Sequence, residues 1–320
     1  MALSYNISPK LGTYLGRIDK LRQQIVMTPL SPKLEMRLKW DASMERIFWS
    51  LSLIDESASK AKTANILSNI SVNPKKKLTN TEIDTLNHKR ALNYIKDEWL
   101  ATSSEVSMNT IKKLYDIDCR QTLGKMSGPA KHSEKRMDAM LAYLNTGGDH
   151  PIIQAGIAQV ETVNIAPFSI GNSRVARLLS YLYLYKNGYD IREMVSFEEA
   201  FRRDMSTFNH VTNLSQAEGN LTLWLEYFAF CIMASLEKTA ETIKNKKFNK
   251  DIPASFWKIN TRQKQILGYL ENPDMKITNK EVQKIHGVSQ ITASRDLTEL
   301  TTLGLLFARG KGRSVFYTKV

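Results

Sequence analysis

Residues 163–178, VNIAPFSIGNSRVARL, gather side chains suited to holding an anion. Gly171 lets the backbone turn tightly and approach a ligand closely. Asn172 adds amide N–H donors and Ser173 a hydroxyl. From Ser173 to Leu184 the run SRVARLLSYLYL has helical spacing without a breaker, so a helix is expected to begin near Asn172. The first N–H groups of a helix lack partners and carry the positive end of its dipole, which suits phosphate. Arg174 and Arg177 add two forked, permanently charged donors about one turn apart. An ordinary loop-to-helix junction with two solvated arginines remains the alternative over so short a stretch.

Pro167, Phe168, Gly171, Asn172, Arg174 and Arg177 resemble the signature of the Fic family, H-P-F-x-(D/E)-G-N-(G/K)-R-x-x-R. The likeness extends to NHKRALNYIKDEWL (87–100), SEVSMNTIKKLYDIDCR (104–120), residues 137–165, YKNGYDI (185–191) and the stretch ending in LTLWLEYFAFCIMASL (221–236). Members of that family mostly transfer a nucleotide phosphoryl group, usually AMP, from ATP to a protein hydroxyl. The resemblance implies a mainly α fold, with a Fic-like helical core over residues 35–245 and a small flap hairpin at 122–135. It implies that Phe168 packs the loop against the core. It also implies that Gly171, Asn172, Ser173, Arg174 and Arg177 form the nucleotide or phosphate site. The family's general base is a His, replaced here by Ala166. Its acidic magnesium ligand is replaced by Ile170, and its second Gly or Lys by Ser173. A positioned base is worth ~10²–10⁴ in rate, and magnesium takes oxygen ligands. The expectation is a catalytically silent protein that keeps a site for ATP or another nucleotide without magnesium. The alternatives are an active nucleotidyltransferase with a rearranged site and a non-catalytic dimeric scaffold with an empty loop. His88, His132 and His150 are the nearest other histidines, and none stands at the motif position.

The family often carries an inhibitory helix, (S/T)-x-x-x-E-(G/N), whose Glu pairs with the second signature Arg. Ser52 and Glu56 fit S-x-x-x-E, with Ser57 where Gly or Asn is expected. The resemblance implies an inhibitory helix over 43–67 with Glu56 against Arg177. A solvated Glu56 is the alternative.

Residues 257–320 read as a separate module, reached through a polar linker at 246–256. Ile266, Leu267 and Leu270 mark one face of a first helix. Thr278 with Glu281 makes a capping box for the next, and Ser289 can cap a third that ends at Gly304. Two short helices joined by a tight turn at Gly287 form a helix-turn-helix pattern. LLFARGKGRSVFYTKV then alternates apolar residues around a Gly-rich centre, as a two-stranded wing does. The module resembles a winged helix-turn-helix domain. DNA is its expected partner, read by Gln290, Thr292, Ser294 and Arg295 in a major groove, with Arg309, Lys311 and Arg313 on the wing. A winged helix used for protein contact is the alternative.

The chain has 320 residues and a formal net charge of +13, which favours a polyanionic partner. Its two cysteines, Cys119 and Cys231, sit in apolar helical runs without metal-like spacing and are expected to be buried thiols. No apolar stretch approaches ~20 residues, so a soluble cytoplasmic protein without a membrane partner is expected. Residues 1–34, with three prolines, are expected to form an irregular arm packing on the core or on a second copy. Trp224, Tyr227, Phe228 and Phe230 are expected in the core. A homodimer on a palindromic site is the expected assembly.

Overall fold

The structure, a computed structural model, describes residues 4–68, 78–124, 131–245, 259–270, 275–303, 305–310 and 315–319. The chain divides into two compact units, Met1–Lys247 and Phe248–Val320. The linker expected over 246–256 lies outside the described residues.

The first unit is helical. Its centre is a pair, α8 (Pro151–Ile165) and α9 (Asn172–Lys186), joined by the 166–171 loop. Nearly all of α8 is buried, from Ile152 to Thr162, and so is α9 from Arg174 to Tyr185. Helices buried on nearly every side sit in the interior of a larger assembly of helices. Around this pair lie α4 (Asn80–Trp99) and α5 (Met108–Asp118), both packed on α9. A short α6 (Arg120–Leu123) follows α5, and α7 (Lys131–Asn145) packs on α8. The small α10 (Glu198–Arg203) and α11 (Met205–Glu218) lead into α12 (Thr222–Asn245), which closes on α8. Gly156 makes that approach feasible: a Cβ there would stand 2.8 Å from Leu225 Cδ2. Trp224 Nε1 then donates to the Gly156 carbonyl at 2.8 Å.

The amino-terminal residues correct the expectation of an irregular arm. Pro9–Met27 form α1, which lies along α12, and Pro32–Ser52 form α2, which packs on α4 and α10. Pro9 and Pro32 open these helices, each preceded by a serine cap, Ser8 and Ser31. A proline at the first helical position loses nothing, because that N–H has no intrahelical partner anyway. Leu11, Leu15, Ile18, Leu21 and Ile25 form the buried stripe of α1. Ser8 Oγ donates to Glu226 at 2.7 Å, and the Leu221 N–H donates to the Ser4 carbonyl at 2.8 Å, tying this segment to α12.

The expected 43–67 helix is also two pieces. Helix α2 stops at Ser52, and α3 (Lys60–Ser68) begins after a turn. Asp55 Oδ1 accepts from the Ser57 N–H at 2.9 Å and the Ser57 hydroxyl at 2.7 Å. This local side-chain turn competes with helix continuation. Where the flap hairpin is expected, Thr122 and Leu123 end α6 and α7 begins at Lys131, while residues 125–130 lie outside the described residues. Trp224 and Phe228 are in the core as expected, whereas Phe230 is exposed and meets Tyr14 of α1 at its edge.

The second unit holds α13 (Thr261–Tyr269), α14 (Asn279–His286), α15 (Gln290–Thr302) and an antiparallel pair, β1 (Leu306–Arg309) and β2 (Phe316–Lys319). Register runs from Leu306 opposite Lys319 to Arg309 opposite Phe316. Ile277 adds an isolated antiparallel bridge to β2 by exchanging both backbone hydrogen bonds with Tyr317, at 2.9 and 2.8 Å. Ile266, Leu270, Ile277, Val282, Ala293, Leu297, Leu300 and Leu306 make its core. Gly304, the expected end of the third helix, lies outside the described residues.

If α1 is part of the core, Ile18→Ala should cost ~2–5 kcal/mol. Urea unfolding of the full chain checks this, and a change near zero would return α1 to the status of a loose arm.

Candidate functional site

The 166–171 loop leaves α8 through Ala166, which adopts a left-handed conformation (φ 49°, ψ 64°) while its N–H stays on the Thr162 carbonyl. A non-glycine residue there costs about 1–2 kcal/mol. Phe168 is buried and packs on Tyr115 with ring centroids 4.5 Å apart, as expected of it. Gly171 opens α9 at φ 86°, and a Cβ there would stand 3.2 Å from Cys119 Sγ and from Leu123 Cδ1. The glycine is thus required both by conformation and by space.

The donors expected to face phosphate are turned inward. Asn172 Nδ2 donates to the Phe168 carbonyl at 2.7 Å, and Asn172 Oδ1 accepts the Phe168 N–H at 2.9 Å. The amide therefore fastens the loop to itself. Arg174 is only 4% exposed. Its Nε donates to Asp118 Oδ2 at 2.8 Å, its Nη2 to the Asp118 carbonyl at 2.9 Å, and its Nη1 to Asp84 Oδ1 at 2.7 Å. Thr122 Oγ1 also donates to Asp84 Oδ1, at 2.7 Å. On its other oxygen, Asp118 meets His88 Nδ1 at 3.0 Å. Burial pushes the Asp118 carboxyl up, but His88 and Arg174 outweigh it and hold this acid well below the usual carboxylate range.

Arg177 is also buried, and it donates from Nε to Ser50 Oγ and from Nη2 to the Ser50 carbonyl, both at 3.0 Å. Glu56 does not reach it. Glu56 is 87% exposed, beyond the end of α2, and its carboxylate meets Arg202 at 3.3 Å. Ser52 Oγ donates to the Trp49 carbonyl. The acid whose charge bears most on Arg177 is Glu198, wholly buried at the start of α10. Tyr181 OH donates to Glu198 Oε2 at 2.6 Å. Burial pushes the Glu198 carboxyl up, against the opposing pull of Tyr181 and Arg177. The expected Glu56–Arg177 pair is thereby corrected: the turn at Asp55 carries Glu56 into solvent, and Ser50 in the last turn of α2 takes the guanidinium.

Among the expected anion-site residues only Ser173 is exposed, and Ile170 of the same loop is 51% exposed. No side chain caps the first turn of α9. Moving Arg174 away from Asp118 would strand a buried carboxylate, and breaking such a pair costs ~3–5 kcal/mol. The side chains of Ala166 and Ile170 bring no oxygen to a magnesium ion. Among the described residues no cluster of three or more His, Cys, Asp or Glu could hold a metal. Both cysteines are free and buried, and burial pushes the Cys231 thiol up to about 12.

In the second unit, Thr278 and Glu281 form the expected capping box of α14, and Ser289 Oγ caps α15 by accepting the Thr292 N–H at 3.3 Å. Helix α15 buries Ala293, Asp296, Leu297 and Leu300 and turns Gln290, Ile291, Ser294 and Arg295 outward. Thr292 is half-buried, and its hydroxyl lies 3.0 Å from Ser289 Oγ, so it serves the cap. Ile291 was not among the residues expected to read DNA, yet it is the outermost apolar one. Arg309 is exposed on β1, whereas Lys311 and Arg313 lie outside the described residues.

Residues 84–184 match the model of the Fic/DOC family, and residues 262–320 match that of the DeoR-like helix-turn-helix domain. The chain thus carries a Fic/DOC family domain followed by a carboxy-terminal DeoR-like helix-turn-helix domain. Its fold is similar to that of a Fic family protein from Desulfovibrio desulfuricans, with a TM-score of 0.65 at 14% identity, over 100% of this chain and 98% of that one. C. elegans Fic-1 matches with a TM-score of 0.60 at 19% identity, over 74% of each chain. A Fic domain-containing signaling protein from Bacteroides thetaiotaomicron matches with a TM-score of 0.58 at 18% identity, over 76% of this chain and 99% of that one. The comparison with curated proteins finds no match. The pairing of the two domains suggests a DNA-binding regulator. Among the described residues no helix is long and apolar enough to cross a membrane.

Asp118→Ala should destabilise the chain by ~3–5 kcal/mol, because it leaves the Arg174 guanidinium buried without its main partner. The Asp118 contribution is linked to a lowered folded-state pKa. It is therefore fully present above the unfolded value of about 3.9 and is lost as pH falls through the folded one. Denaturant midpoints of parent and variant across pH 2–7 would show the gap narrowing only at the acid end. Glu56→Ala, in contrast, should leave the midpoint unchanged, and a large loss there would restore the expected inhibitory pair.

Proposed function

We propose that this protein is a DNA-binding transcriptional regulator whose Fic domain performs no nucleotidyl transfer. The observation that carries the first clause is the outward face of α15. Gln290, Ser294 and Arg295 stand exposed on the helix that follows the tight turn, where helix-turn-helix proteins address base edges. Exposed Arg309 on β1 is positioned on the same unit to meet phosphates. We take the reader to act as a homodimer on a palindromic site, each copy addressing one half.

The second clause rests on Ala166, which offers no atom to accept a proton, and on Arg174, whose three donor nitrogens are spent on Asp84 and Asp118. In this reading the loop is a closure between α8 and α9, and ATP is neither its substrate nor its ligand. The fold is kept for its shape, and its chemistry is absent.

Two measurements test the clauses separately. Anisotropy titrations on duplex DNA should give an affinity that falls steeply with salt. Arg309→Ala should weaken all sequences about equally and flatten the log–log salt slope by roughly 1. No binding at low salt would sink the regulator reading. For the Fic domain, ATP, ADP and AMP, with and without magnesium, should leave the melting temperature where it is. A ligand held at 100 times its Kd would add ~2.7 kcal/mol and be seen at once. A melting shift, or a nucleotide adduct on a candidate target by intact mass, would overturn the silent loop.

A further inference from the structure

The DNA-binding reading leaves one side chain unexplained. Ile291 is 78% exposed, the highest value among the large apolar side chains described. It is the second residue of α15, a helix that buries its other aliphatic side chains, Leu297 and Leu300, completely. A solitary exposed Ile on a surface needs no special account. This one differs in its position and company. Residues four apart stack along one side of a helix. Ile291 therefore shares a stripe with Arg295, and Gln290 shares the adjoining stripe with Ser294. All four side chains are exposed.

A protein-docking face would gather apolar neighbours around Ile291. Here its neighbours on the outward face are an amide, a hydroxyl and a guanidinium. One apolar contact among hydrogen-bonding groups matches the edge pattern of base pairs in a major groove, where thymine alone carries a methyl. The charges favour the same occupant. Lys280, Lys284, Arg295 and Arg309 are exposed, and none has an ion-pair partner among the described residues. The acids beside them are used internally. Glu281 closes the α14 cap, Asp296 accepts from Arg262 and Asn260, and Glu299 accepts from Gln263. The outward face is left basic.

We propose that Ile291 is a specificity-determining residue that packs on the C5-methyl of a thymine, and that Arg295 reads a guanine further along the same groove. This rests on the DNA-binding reading above. Four residues of helix advance ~6 Å, and successive base pairs lie about 3.4 Å apart. Where α15 follows the groove, the two bases therefore stand roughly two base pairs apart. Gln290 and Ser294 flank this pair and set the neighbouring preferences.

The test uses the full chain and a random duplex pool, from which bound sequences are selected and a consensus taken. Each thymine of the consensus is then replaced singly by deoxyuridine, which removes only the methyl. At one position the parent should lose about fourfold in affinity, the worth of ~0.8 kcal/mol for one buried methyl-sized group. Ile291→Ala should bind the thymine and uracil versions equally at that position. It should keep the parent's salt slope on random DNA, which shows that the reader is folded and docked. Replacing the nearby guanine by 7-deazaguanine should weaken the parent but not Arg295→Ala. If a consensus emerges and parent and Ile291→Ala show the same uracil sensitivity everywhere, the Ile291 assignment is overturned while DNA binding stands. If no sequence is enriched and no duplex binds at low salt, the DNA reading itself falls, and Ile291 becomes an apolar contact for a protein.

Discussion

The guanidinium of Arg174 is where α4, α5 and α9 meet. It lies between Asp118 at the end of α5 and Asp84 near the start of α4, with His88 completing Asp118 from the inside. The arrangement is costly to assemble and costlier to disturb. Desolvating charges offsets much of what they gain from one another, so the pair need not add net stability over an apolar core. Removing any one member, however, strands the others in a medium that cannot solvate them. This asymmetry fixes the α5–α9 contact and with it the loop that precedes α9. Gly171 is pressed against Cys119 and Leu123, and Phe168 against Tyr115, because α5 is held where Asp118 holds it.

The same constraint decides which way the loop's side-chain donors face. Here Asn172 is closed on Phe168, Arg174 on two carboxylates, and Arg177 on Ser50. The interior of this unit consumes its cations, whereas the DeoR-like unit consumes its anions and leaves its cations outside. The reader carries the cations Lys280, Lys284, Arg295 and Arg309 on its surface.

What the sequence made legible follows from how local each signal is. The capping box at Thr278 and Glu281 and the serine cap at Ser289 are decided within four residues, and both are found as expected. The helix beginning at Asn172 was equally legible, because Gly171 and an unbroken apolar period suffice. Pro9 and Pro32 are local signals of a different kind: three prolines in residues 1–34 suggest an irregular arm, yet Pro9 and Pro32 each follow a capping serine and open a helix. The pairing of Glu56 failed for a different reason. A four-residue motif cannot report that Asp55 and Ser57 will end the helix first. Nor could the loop sequence show that Arg174 was spoken for, since Asp84 and Asp118 lie 90 and 56 residues away. Ile291 was hidden in plain sight: an isoleucine beside polar residues reads as core until the helix phase shows which side Leu297 and Leu300 take.

This bears on how a signature should be weighed. The six matching positions of the 163–178 stretch each have a structural occupation in this chain: Pro167 and Phe168 are buried, Gly171 fits a left-handed turn against α5, Asn172 ties the loop, and two arginines anchor α9. The positions that depart from it, Ala166, Ile170 and Ser173, are the exposed ones, with no such occupation to preserve them. A fold can thus retain most of a catalytic signature for reasons of packing alone. The positions where this chain departs from the signature are those the fold does not need. Ala166 makes the point in its backbone. It sits in the left-handed region, where His, Asn and Asp are tolerated several-fold better than an alanine. The loop geometry is therefore imposed by its ends, at Thr162 and Gly171, and not chosen by the residue at its apex.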